Sequence, residues 1–262
     1  MSKILAFYNM SGGVGKSTLT MNLGYHLAKD HKKRVLLIDL DPQASLTVFM
    51  GINPFTQEET ALQSLIDKKP LPITEGLHHC DFVPSNILLA QAELRLASEL
   101  RREYRLKEAL KKVTDDYDII LLDCPPSLGL LSVNCLTAAD FLLIPIQTEY
   151  KSVQATICLM RTTCEIAYDL NEDLRVLGAI PTMYDQKLKQ ANEALEKITS
   201  SITKVKKEEP SMFGKAKVYT PIPRRTDFAK ASAQNIPLAE LSPRLDAVKI
   251  LTTTATELTK IL

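Results

Sequence analysis

Three short stretches of the chain carry residue types suited to phosphate chemistry. The first, FYNMSGGVGKSTLTMN (residues 7–22), contains Gly12, Gly13, Val14, Gly15, Lys16 and Ser17. Glycines let the backbone turn tightly and aim N–H groups at an anion. A helix starting at the same point adds a favourable field. Lys16 is placed to reach β- and γ-phosphates, and Ser17 to put its hydroxyl on Mg²⁺. The second stretch, LLIDLDPQAS, ends an apolar run in Asp39 and Asp41. One carboxylate there could orient Mg²⁺ or its waters, and another could polarise an attacking water. The third, IILLDCPPSLG, places Asp123 at the end of an apolar run, the usual position of the acid in a Mg²⁺ shell. Pro125, Pro126 and Gly129 then form a loop suited to sensing a phosphate. The strict G-x4-GK[ST] pattern needs a glycine where this chain has Met10, so the reading rests on context rather than on the pattern.

That context is an alternation of strands and helices. KILAFY (residues 3–8) predicts a first strand, KSTLTMNLGYHLAK (16–29) a helix with Leu19, Leu23 and Leu27 in register, and RVLLID (34–39) a second strand. Continuous apolar strands of this kind belong to parallel sheets covered on both faces. Further strands are expected at 77–83, 118–122, 141–147, 176–181 and 217–222. Helices are expected at 60–66, 91–112, 132–139, 153–168, 190–203, 226–234 and 243–262, with 204–217 a charged loop or short turn elements. The expected fold class is α/β, a mostly parallel twisted sheet with helices on both faces, P-loop NTPase-like. No repeat or linker interrupts it, so one domain over residues 1–262 is expected. All three chemical stretches would meet at the C-terminal edge of that sheet, where ligands bind in such folds.

Composition bounds the rest. With 262 residues and 45% hydrophobic content the chain can bury a sizeable core. The formal charge is +1, but it is unevenly spread: residues 1–150 carry −3 and residues 151–262 carry +4. Between 181 and 230 there are 11 basic and 6 acidic residues, which fits a solvated face or a surface for a polyanion. The five cysteines form no CxxC pair, which argues against a metal or iron–sulfur centre. No apolar run reaches 18 residues and the start lacks a signal-peptide pattern, so a cytosolic, non-exported protein is expected.

The motifs, in this order and spacing, resemble those of the deviant-Walker partition ATPases, which move plasmids, chromosomes and large protein bodies. SGGVGKST (Ser11–Thr18) resembles the deviant phosphate loop, DLDPQAS the first switch, and LLDCPPSLG the Walker B strand and second switch. IPIQTEYKS resembles the segment after the next strand, and VYTPIPRRTDFAKASAQNIPL the late segment that contacts adenine. The resemblance covers nearly the whole chain and implies ATP and Mg²⁺ as cofactors. Ser17, Asp39 and Asp123 form the expected metal set. Asp41 is implied in water activation. Pro221 and Pro223, with Pro181, Met183 and Asp185 of PTMYD, are the implied adenine-side contacts. It further implies an ATP-dependent homodimer, DNA binding without sequence preference, and a small adaptor protein that stimulates hydrolysis. A cytoplasmic, nucleoid-associated location follows, with no membrane.

Two residues depart from the family pattern. Ser11 stands where the family loop has a lysine that crosses to the partner's phosphates, a departure that resembles the carboxysome-positioning branch. Lys151, beyond the strand at 141–147, stands where an uncharged aromatic is usual. A cation at a helix start is unfavourable unless an anion is near, so Lys151 is the candidate replacement for the missing charge. The rival readings are a membrane-surface cell-division ATPase, a dethiobiotin-synthase-type ligase and a non-hydrolysing polymer. The first would need a basic amphipathic tail, and LDAVKILTTTATELTKIL has only two lysines.

Overall fold

The computed structural model describes residues 2–262, apart from the side chains of residues 150–155, 157, 158 and 161. Eight strands form one sheet: β1 (Lys3–Phe7), β2 (Val35–Asp39), β3 (Thr74–Leu77), β4 (Cys80–Val83), β5 (Ile119–Asp123), β6 (Phe141–Gln147), β7 (Arg175–Thr182) and β8 (Lys217–Val218). Their order across the sheet is β3-β4-β2-β5-β1-β6-β7-β8. Every pair is parallel except β3 with β4. Twelve helices are described: α1 (Lys16–Lys29), α2 (Ser45–Phe49), α3 (Ala61–Asp67), α4 (Gln91–Arg95), α5 (Arg105–Leu110), α6 (Leu130–Ala138), α7 (Tyr150–Leu170), α8 (Lys189–Glu208), α9 (Pro210–Phe213), α10 (Thr226–Ala233), α11 (Leu238–Leu241) and α12 (Asp246–Thr259).

Alternate residues of the central strands feed two cores. Ile4, Ala6, Ile120 and Leu122 face one side, with buried residues of α3, α5, α6 and α8. Leu5, Phe7, Ile119 and Leu121 face the other, with α1, α10 and α12. This is the period-two consequence of the pleat, and it explains why these strands read as unbroken apolar runs. Each fully buried Leu or Ile contributes about 1.5–3 kcal/mol. These cores fix the strand ends that carry the acids.

The structure departs from the sequence expectations in four places. Residues 91–112 are not one helix: α4 ends at Arg95, and Arg101 takes a left-handed φ of 58° before a 3₁₀ turn leads into α5. Leu96, Leu100, Leu106 and Leu110 would share one face of a continuous helix, but the left-handed turn at Arg101 breaks it, and Leu96, Leu106 and Leu110 are buried while Leu94 and Leu100 are exposed. Residues 204–217 begin as helix rather than loop, because α8 runs to Glu208, and only beyond it does a short element, α9, follow from Pro210. Ile198, Ile202 and Val205 carry an apolar stripe through that charged segment. The strand expected at 77–83 is a hairpin, β3 and β4, whose corner His78 and His79 take positive φ. Finally, β8 covers only two residues of the strand expected at 217–222.

Candidate functional site

The register of the three middle strands assembles the site. Asp39 of β2 pairs with Asp123 of β5, which pairs with Phe7 of β1. Two carboxylates and the root of the glycine loop therefore stand side by side at one sheet edge.

The loop leaves β1 at Asn9 and enters α1 at Lys16. Gly15 has φ 94°, a left-handed turn that an L side chain rarely adopts, and this lets α1 begin directly behind the loop. Asn9 is fully buried and organises the turn. Its Oδ1 accepts the Ser11 N–H at 2.9 Å, and its Nδ2 donates to the Pro145 carbonyl at 2.7 Å. Thr182, at the end of β7, donates its hydroxyl to the Val14 carbonyl at 2.8 Å. Lys16 is buried, and its Nζ donates to the carbonyls of Asn9 and Ser11 at 3.3 and 3.2 Å. Burial lowers the lysine's pKa, opposed by the negative charges of Asp123 and Asp41. A desolvated ammonium facing acids is poised for an anion that can share it.

The acids divide into two environments. Asp39 is buried with both oxygens engaged: Oδ1 accepts the Asp41 N–H at 3.1 Å, and Oδ2 accepts the Thr47 N–H and hydroxyl at 2.8 and 2.7 Å. Burial lifts its pKa to about 7, although the Thr47 donors pull it down. Asp39 thus staples the start of α2 to β2. Asp123 is equally buried, but neither of its oxygens has a hydrogen-bond partner. Burial first, and Asp39 second, hold its pKa well above the usual carboxylate range; the nearby Ser17 hydroxyl and Lys16 ammonium oppose them. An unpartnered buried carboxylate is costly. A hard cation held by Asp123 and Ser17 would satisfy it, so the donor set fits Mg²⁺. Asp41 is buried as well: its Oδ1 accepts the Gln43 N–H at 2.9 Å, and burial raises its pKa against the Lys16 charge.

Beside the loop lies a cavity of about 520 Å³, lined by Gly15, Thr18, Phe49, Met183, Pro223 and Phe228 among others. Of the expected adenine-side residues, Met183 and Pro223 line it. Pro181 is buried inside β7 and accepts the Ile222 N–H at 2.8 Å. Asp185 and Pro221 line a neighbouring cavity instead. Sequence reasoning missed Phe49, which carries no motif, and did not single out Thr182 within PTMYD or Phe228 within the late segment. It also missed Asn9 as the organiser of the loop. Lys151 falls in the first turn of α7, and its side chain lies outside the described residues.

Residues 2–176 match the family model described as an AAA domain. The chain is 37% identical over 248 residues to the sporulation initiation inhibitor protein Soj of Bacillus subtilis, covering 93% of each chain. It is 35% identical to the chromosome-partitioning ATPase Soj of Treponema pallidum, covering 91% of this chain and 90% of that one. Among solved structures it resembles cobyrinic acid a,c-diamide synthase from Mycobacterium smegmatis with bound ATP analogue and magnesium, at 30% identity and TM-score 0.82 over 99% of this chain and 95% of that one. It also resembles the ATP complex of a Cyanothece McdA variant, at 27% identity and TM-score 0.79 over 98% of this chain and 96% of that one. The motifs, the strand order and these relatives agree: the chain belongs to the ParA/Soj-type partition ATPases, within the AAA-domain family.

Proposed function

We propose that the protein is an ATP-driven switch that dimerises on binding Mg·ATP, binds DNA without sequence preference and positions a cargo. The observation that carries this reading is the unpartnered Asp123 carboxylate facing Ser17 and Lys16. Lys16 and the loop N–H groups hold the phosphates, Ser17 and Asp123 hold Mg²⁺, and the cavity beside Phe49 and Phe228 takes the nucleoside. Bound there, Mg²⁺ would neutralise charge on the β- and γ-phosphates. Asp41 orients the attacking water. Asp39, assigned to the metal set by its position, acts through the Thr47 staple. The γ-phosphate orders the loops after Asp39 and Asp123, and those loops form the face on which two copies meet. Lys151 supplies the charge that Ser11 lacks.

DNA binding is assigned to the basic half of the chain. Lys189, Lys204, Lys217 and Arg225 are paired with Glu193, Glu208, Glu257 and Asp246. Among the described residues Lys187, Lys207, Lys215, Arg224 and Lys230 are exposed without an ion-pair partner, which leaves them for phosphates. A dimer doubles such a weak patch. An adaptor protein then stimulates hydrolysis and releases the DNA in the cytoplasm, at the nucleoid. The higher identity to the Soj proteins than to McdA favours chromosome or plasmid cargo over carboxysomes.

The membrane reading loses support because the apolar face of α12 is spent on the core: Val248, Leu251, Ala255 and Leu258 are buried. Among the described residues no helix is long and apolar enough to cross a membrane. A second reading, an ATP-dependent small-molecule amidation, is favoured by the likeness to the cobyrinic acid a,c-diamide synthase structure. The test is co-sedimentation with random-sequence DNA across a salt series. Binding that needs Mg·ATP and weakens steeply with salt supports the switch. Binding that ignores nucleotide and salt refutes it and leaves the amidation reading.

A further inference from the structure

Helix α6 begins directly after the loop that follows Asp123, and nothing at its own N-cap closes it, because Gly129 has no side chain to offer. The first N–H groups of a helix lack internal partners and need an acceptor. Here the acceptor comes from 37 residues earlier. Glu93 of α4 accepts the Leu130 N–H at Oε2, 2.6 Å, and the Leu131 N–H at Oε1, 3.0 Å. Both bonds are charge-assisted, and a helix N-terminus favours negative charge. Gly129 makes the approach possible. A Cβ there would stand 2.4 Å from Glu93 Oε1, although its φ of −111° is one any residue adopts.

The same segment is tied at its other end to the loop after Asp39. Ser85 donates its hydroxyl to the Asp41 carbonyl at 2.8 Å and its N–H to Thr47 Oγ1 at 2.9 Å. Thr47 in turn donates to Asp39. Between the two ties Leu89 and Ala92 are sunk in the core, which makes the segment a rigid piece.

We propose that Glu93 is a positioning residue, and that residues 85–95 form a strut coupling the loop after Asp39 to the loop after Asp123. One end holds the backbone of Asp41; the other holds the helix that ends the Pro125–Pro126 loop. A γ-phosphate that draws in one loop therefore draws in the other, and the two close as a unit. The inference rests on reading both loops as phosphate-sensing. Glu93 touches no nucleotide, so its loss should act on the closed state rather than on ground-state binding.

The test compares Glu93→Ala, Glu93→Gln and Gly129→Ala in the full chain, at a temperature where circular dichroism finds each fully folded. Affinity for a fluorescent Mg·ATP analogue, KM, kcat for hydrolysis and Tm are measured. Affinity and KM should stay within about twofold of wild type, while kcat falls about tenfold in Glu93→Ala and Gly129→Ala. Glu93→Gln should be intermediate, because its carbonyl still accepts one N–H. The double variant Glu93→Ala/Gly129→Ala should be no worse than the poorer single one, because both break the same contact. A lowered Tm with unchanged kcat reduces Glu93 to a helix cap and overturns the proposal. A fall in affinity as large as that in kcat overturns it as well. If Glu93→Ala does not fold, Gly129→Ala, which leaves the carboxylate in the chain, decides between the same outcomes. Wild-type protein that binds no Mg·ATP overturns the underlying reading of the site and the strut with it.

Discussion

The hydroxyl of Thr182 bonds the carbonyl of Val14 at 2.8 Å, tying the phosphate loop to a strand two places away in the sheet. Both residues are buried, so the carbonyl has no water to turn to. Thr182→Val keeps the shape and removes the donor. It should cost about 1–3 kcal/mol of stability, the usual penalty for an orphaned buried acceptor. Nucleotide affinity should fall with it, because the loop N–H groups are aimed by this tie. Urea unfolding and titration with a fluorescent nucleotide check both; unchanged values in both would refute the tie.

Asp39 makes stability depend on pH. Its pKa of about 7 in the fold exceeds the unfolded value of about 3.9. The folded state therefore favours the protonated acid. This contribution is complete below the unfolded pKa and is lost as pH rises through about 7. Surface acids such as Asp118 and Asp246, held low by Arg34 and Arg225, act in the opposite sense. The difference between wild type and Asp39→Asn reports Asp39 together with its coupling to Asp123. Relative to the variant, nucleotide-free wild type should lose on the order of a few kcal/mol between pH 4 and pH 8. A difference that grows in favour of wild type with rising pH would contradict this account.

Asp41 is buried just beyond β2, with one oxygen on the Gln43 N–H. Asp41→Ala should leave Mg·ATP binding and ATP-dependent dimerisation intact and lower kcat by about 100-fold or more, the usual worth of a positioned base. Phosphate release and analytical ultracentrifugation separate the two effects. Loss of nucleotide binding would assign Asp41 to the ground state instead.

Lys151 is proposed to supply a positive charge at the phosphates that Ser11 cannot. Lys151→Ala should weaken ATP-dependent dimerisation about tenfold or more, because a compact cation on a flexible stem is lost from the phosphates. Monomer affinity for nucleotide should change little. Dimerisation equal to wild type would remove Lys151 from the site and leave Ser11 uncompensated.

Much of this site was legible because the chemistry and the strands coincide in sequence. Gly15, Lys16, Ser17, Asp39 and Asp123 each sit at or just beyond the end of an apolar run, and a parallel sheet must bring such ends to one edge. The helix α1 was legible to the residue for the same reason, since Leu19, Leu23 and Leu27 repeat at helical spacing. What was not legible depends on long-range contact. Phe49 lines the cavity beside the phosphate loop with nothing in its local sequence to join it to Phe228 of the late segment. Glu93 reads as one charge on a charged helix, and only the fold brings it to the start of α6. The false helix at 91–112 came from the genuine helical spacing of Leu96, Leu100, Leu106 and Leu110, which gives no sign of the left-handed turn at Arg101 that divides it. The false loop at 204–217 came from weighing lysines above the apolar stripe beneath them.

The central claim is that a triphosphate held at this sheet edge joins two copies. Analytical ultracentrifugation with Mg²⁺ and a non-hydrolysable ATP analogue tests it most directly, run beside the same protein with ADP and with no nucleotide. The account predicts a dimer with the analogue alone, and DNA retained only by that dimer. A monomer in all three conditions, or a dimer that forms equally well without nucleotide, would contradict it.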